Sequence, residues 1–152
     1  MGRGCRCGFT LIEVLIVVVI MAVLAAVVIP QVLAPTKDAK QSTLQHNLHV
    51  LRSQIELYRA SHQGDYPAIE SNDLPQLTKA TNSEGETGIA SPAYPYGPYI
   101  VLVPPNPFDG SSEVSAVAVP GAVPTAVSGS LGGWQYDETT GGIWPNHPGY
   151  FE

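Results

Sequence analysis

The chain has 152 residues, 44% of them hydrophobic and 13% charged, with a formal net charge of −6. That length fits one modest domain plus one extra element and excludes two full domains. All seven Lys and Arg lie at or before Lys79, so residues 80–152 carry no basic side chain apart from His147; this nearly excludes a phosphate-binding surface there and makes nucleic acid an unexpected partner.

The first element is apolar. Residues 9–29 hold 19 apolar residues out of 21, and as a helix they would be about 31 Å long, which matches a hydrocarbon core of about 30 Å. A secretory signal peptide is the first rival, because Arg3 and Arg6 make a basic n-region, but its apolar core is usually only about 7 to 15 residues. Here 16 unbroken apolar residues run from Val14 to Ile29. Glu13 sits near the start of this run, where an acidic residue in a lipid-embedded helix centre costs about 2.5 to 3.5 kcal/mol and is by default functional. A plain signal anchor has no use for it. A chain cut just before Phe9 would expose an α-amino group that a carboxylate from a neighbouring copy could neutralise.

The residues Gly8-Phe9-Thr10-Leu11-Ile12-Glu13-Val14-Leu15 resemble the class III signal of type IV pilins and type II secretion pseudopilins. The resemblance implies cleavage after Gly8 by an inner-membrane prepilin peptidase, N-methylation of Phe9 by the same enzyme, and an assembly role for Glu13. Pro30 falls where this family often has a proline, whereas Ala22 stands where many members have a helix-weakening glycine. Cys5 and Cys7 both fall in the expected leader, residues 1–8. Removing the leader leaves 5 basic and 13 acidic residues, 5 − 13 = −8, and no cysteine for a disulfide or a zinc site.

After the apolar run, Pro30 and Pro35 each remove a backbone donor, and the helix is expected to kink or loosen between residues 26 and 35 before resuming from a Thr36 N-cap. Leu44, Leu48, Leu51, Ile55 and Tyr58 then recur at spacings of 4, 3, 4 and 3, one stripe at helical period, with Gly64 as the stop. Residues 30–64 therefore read as an amphipathic continuation of the helix. Its stripe must be covered by residues 65–152.

Gly and Pro make up 24 of the 90 residues from Gln63 to Glu152, so long helices are not expected there. A short helix is expected around Asn72–Thr81, with Leu74 and Leu77 facing inward. Ile100–Val103, Glu113–Val119, Trp134–Tyr136 and Ile143–Trp144 read as strands of a small antiparallel sheet, the last two as a hairpin around a polar, Gly-rich turn. Tyr58-Arg59, Asp65-Tyr66-Pro67, Gly97-Pro98-Tyr99-Ile100 and Pro104-Pro105-Asn106-Pro107-Phe108 are similar to segments of the major pseudopilin group, with Asn106 and Phe108 replacing that group's Asp and Trp.

Enzyme chemistry has little to rest on: there is no Gly-x-Ser-x-Gly, no His-Glu-x-x-His and no phosphate-binding loop. His46 and His49 lie opposite the apolar stripe and read as a solvated face. Asp109, Asp137 and Glu138 stand in Gly-containing loops that suit an oxygen-ligated ion, and the resemblance, through the calcium that major pseudopilins hold in a C-terminal loop, raises that cofactor here. Plain turn acids are the other reading. Tyr94, Tyr96, Tyr99, Trp134, Tyr136 and Trp144 read as core and subunit contacts rather than a sugar platform.

The expected architecture is α+β and pilin-like: a long N-terminal helix, half transmembrane and half packed on a small antiparallel sheet. The resemblance implies a subunit of a periplasmic pseudopilus that drives type II secretion. Its implied partners are copies of itself in a helical filament, sibling minor pseudopilins, the inner-membrane assembly platform, the prepilin peptidase and membrane lipid. A surface pilus subunit is the nearest alternative, and a membrane-anchored periplasmic binding module is the alternative from another class.

Overall fold

The computed structural model describes residues 9–129 and 132–150, with the side chains of 27–35 left out of the description. The first element, α1, spans Leu11–Ser61. Chain contacts divide the molecule into two units, Met1–Ala39 and Lys40–Glu152.

In the first unit the helix is assigned without interruption through Pro30 and Pro35, so Thr36 is not an N-cap. Proline's φ of about −65° is itself helical, and the loss of one donor at each site leaves the flanking hydrogen bonds to hold the backbone. Every described side chain from Phe9 to Ala26 is exposed, including Phe9 at 85% and Leu24 at 59%. A helix that is apolar on all sides is ordinarily covered, in a large core or in a membrane.

In the second unit the stripe is buried as its spacing requires: Leu44, Leu48, Leu51, Ile55 and Tyr58 are all at or below 5% exposure. The helix ends in a left-handed turn, with Gly64 N donating to Arg59 O (3.1 Å). Gln63 takes the positive φ of 61° at that turn, and Gly64 follows it. The short second helix, α2 (Pro75–Thr78), is shorter than expected, and Leu74 and Leu77 beside and within it are fully buried.

Five short strands follow: β1 (Ala80–Thr81), β2 (Thr87–Gly88), β3 (Val114–Ala116), β4 (Trp134–Tyr136) and β5 (Ile143–Pro145). β4 and β5 form the expected antiparallel hairpin, Gln135 opposite Trp144. β3 pairs with β4 in parallel, Val114 opposite Trp134, so this sheet is mixed rather than wholly antiparallel. Parallel pairing needs a connection of a dozen or more residues, and the separation in sequence between β3 and β4 supplies that length. β1 and β2 make a separate antiparallel pair that the sequence reading did not include.

Ile100–Val103 is not a strand. Tyr99 N and Ile100 N both donate to Leu77 O (2.8 and 3.0 Å), and the following Pro104 and Pro105 have no N–H to offer a ladder. This segment lies against the core instead, through half-buried Ile100 and buried Val103. Trp134, Tyr136, Val114 and Ile143 complete the core around the helix stripe.

Candidate functional site

The N-terminal end of α1 is built by Thr10 and Glu13. Thr10 precedes the first helical residue, and its Oγ1 accepts from Glu13 N (3.3 Å). Glu13 Oε2 in turn accepts from Thr10 N (3.3 Å) and Thr10 Oγ1 (3.2 Å). This reciprocal arrangement is a capping box: it gives Thr10 N a partner and adds a side-chain acceptor to Glu13 N, which also donates to Thr10 O (3.2 Å). It also places a carboxylate in the first turn, where the helix dipole favours negative charge. The sequence reading missed the cap, although Thr-x-x-Glu ahead of an apolar run is its signature. Both incoming bonds fall on Oε2, and Oε1 accepts none among the described residues.

Phe9, directly before this box, is exposed. Gly8, Cys5 and Cys7 lie outside the described residues. Pro30 lies within α1. Side chains of the apolar part of α1 are described from Leu11 to Ala26, fewer than the about 20 residues of a span, and among the described residues no helix is long and apolar enough to cross a membrane.

Elsewhere, His46 and His49 are exposed. Trp134 and Tyr136 are fully buried in the core, half-buried Tyr99 packs against it, and Tyr94, Tyr96 and Trp144 are half-buried. A polar cluster not anticipated from sequence closes the end of α1. His62, 2% exposed, stacks on Tyr58 with ring centroids 3.8 Å apart. Its Nδ1 lies 2.9 Å from Tyr58 O and its Nε2 3.0 Å from Thr81 Oγ1. A carbonyl only accepts, so Nδ1 carries a proton and donates it to Tyr58 O. The 58-to-62 spacing continues the helix stripe and was the available signal. Burial, then Tyr99 and Asp65, pushes the Tyr58 phenol up to about 12.

The three acids considered for calcium do not form one site. Asp137 Oδ1 accepts from Thr139 N and Thr139 Oγ1 (2.9 and 2.7 Å), and Oδ2 from Gly121 N and Thr140 Oγ1 (2.6 and 2.8 Å). Asp109 accepts from Ser111 N and Gly133 N (2.8 and 3.0 Å), and Glu138 accepts from Ile69 N. Among the described residues no group of three or more acids, His or Cys is placed to hold a metal ion. Calcium needs about 6 to 8 oxygens with free lone pairs, and the residues present do not fit it.

A capped apolar helix opening on Phe-Thr-Leu-Ile-Glu, and a globular α+β part whose core includes the polar end of that helix, define a pilin-like protein of the prepilin class. Residues 3–29 match the family model described as the prokaryotic N-terminal methylation motif. The type II secretion system core protein G of Escherichia coli (strain K12) is 30% identical over 116 residues, covering 72% of this chain and 79% of that one. The protein of the same name from Pseudomonas aeruginosa is 30% identical over 119 residues (72% and 83%), and that from Vibrio cholerae 28% over 125 residues (82% and 81%). No solved structure matches the chain. The chain belongs to the type II secretion system core protein G family, the major pseudopilins of that apparatus. The surface-pilus alternative is not favoured by these matches.

Proposed function

We propose that this chain is a structural, non-enzymatic subunit of a periplasmic pseudopilus, processed after Gly8 and polymerised through its N-terminal helix. The observation that carries the reading is the Thr10–Glu13 box at the head of an exposed apolar helix. Before assembly, Phe9–Ile29 anchors the subunit in the inner membrane, with the C-terminal part in the periplasm. In the filament these helices bundle, which covers the surface left open in the single chain. Pro30, lacking a backbone donor, is the point at which the helix yields as it packs.

Within the bundle, Glu13 neutralises the methylated ammonium of Phe9 on a neighbouring copy. Each charge alone is costly in an apolar setting, and together they are tolerable and fix the register between copies. The Thr10 bonds orient the carboxylate through Oε2 and leave Oε1 for that contact. Minor pseudopilins, the assembly platform and the prepilin peptidase are the other partners.

The reading is tested by processing and assembly together. The membrane-extracted protein should have the mass of residues 9–152 plus one methyl group, and Gly8→Asp should block cleavage because a charged side chain meets a peptidase pocket that accepts none. Recovery of Met1 or Cys5 in the mature protein would contradict the reading. Glu13→Val should insert, be cleaved and keep its globular part, yet form no filament.

A further inference from the structure

Asp137, Asp109 and Glu138 each hold two parts of the globular unit together through hydrogen-bond donors. Asp137 follows β4 and is 2% exposed. Its four bonds, at 2.6–2.9 Å, match the roughly four lone-pair sites of an ionised carboxylate. They tie residue 121, in the long connection before β4, to the β4–β5 turn. Gly141 N donates to Asp137 O (2.8 Å) and Asp137 N to Gly142 O (2.9 Å), so the turn also closes on its own backbone. Asp109 joins the 106–111 turn to the start of β4 through Gly133 N. Glu138 joins the hairpin turn to the segment after α1 through Ile69 N.

A divalent cation in such a loop would draw these same lone pairs together around one point. Here all four sites of Asp137 are directed at an N–H or O–H, each oxygen of Asp109 accepts one N–H and Glu138 Oε1 accepts another, and these partially positive hydrogens neutralise the carboxylates locally. To bind calcium, Asp137 would have to give up a buried, fully bonded geometry. We infer that the globular unit of this chain is closed without a divalent cation, with Asp137 and the hydroxyls of Thr139 and Thr140 forming the clasp. Its stability is therefore independent of calcium. This concerns the fold of residues 40–152 and stands or falls separately from the assembly role of Glu13.

The test uses the full processed chain in detergent, with Trp134 and Trp144 fluorescence followed on heating. The melting midpoint should be the same in excess calcium and in excess chelator, and calorimetric titration with calcium chloride should show no saturation at one equivalent. Thr139→Val and Thr140→Val should each lower the midpoint by about 4–8 °C, and calcium should not restore it. A saturable rise of the parent's midpoint with calcium, or threonine variants that melt as the parent does, would overturn the inference. Should the variants fail to fold, the comparison of calcium with chelator on the parent still decides it.

Discussion

Asp137 is where a single residue sets a measurable pH dependence. Burial alone would raise its carboxyl pKa, but the hydrogen bonds from Thr139, Gly121 and Thr140 outweigh that and hold it at about 2, below its ordinary 3.8. A depressed folded-state value stabilises the fold above the unfolded pKa and loses that contribution as pH falls toward the folded one. The stabilisation is about 2 kcal/mol, present above pH of about 4 and lost on the way to about 2. Midpoints measured across that range should fall steeply for the parent and less so for Asp137→Asn, which starts lower. Asn106 offers a second residue-scale check. It is fully buried, and its Nδ2 donates to Gly133 O (2.9 Å) while its Oδ1 accepts from Phe108 N (3.0 Å). Asp at this position would turn a carboxylate oxygen toward that carbonyl. Asn106→Asp should therefore cost about 1–3 kcal/mol, read as a lower denaturant midpoint with unchanged slope.

At the scale of elements, the 4-3-4-3 spacing from Leu44 to Tyr58 was sufficient to define the buried face of α1, because a 3.6-residue period leaves no other face to carry it. Ile55 is fully buried within that stripe, so Ile55→Ala should destabilise the globular part by about 2–5 kcal/mol, measurable by chemical denaturation. The β4–β5 hairpin was equally legible from its Gly-rich turn between aromatic arms. The parallel pairing of β3 was not, since short strands of two or three residues carry no signal for direction, and the described residues of the long connection before β4 contain no helix to mark a crossover. The N-cap expected at Thr36 fails for a different reason. Pro30 and Pro35 remove donors, and removal of a donor does not by itself end a helix. Ile100–Val103 looked like a strand by composition, but Leu77 O takes the N–H of Ile100 at its start and Pro104 and Pro105 follow it without an N–H.

For the whole molecule, the family was legible because Gly8, Phe9 and Glu13 belong to one short local motif, which the N-terminal methylation family model matches over residues 3–29. The bonding of Asp109, Asp137 and Glu138 was not, because whether loop acids meet a cation or meet N–H groups depends on how loops distant in sequence close on one another. The central claim is that the charge of Glu13 joins one copy to the next, and the capping box provides the means to isolate it. Gln at the third helical position still closes such a box but carries no charge. The decisive measurement is therefore the filament yield of Glu13→Gln beside the parent and Glu13→Val. The account predicts that Glu13→Gln is inserted and cleaved normally and assembles as poorly as Glu13→Val, because an unpaired Phe9 ammonium buried in the bundle costs about 3–5 kcal/mol per contact. Filaments from Glu13→Gln at the parent's yield would contradict it, and would assign Glu13 to holding the helix end alone.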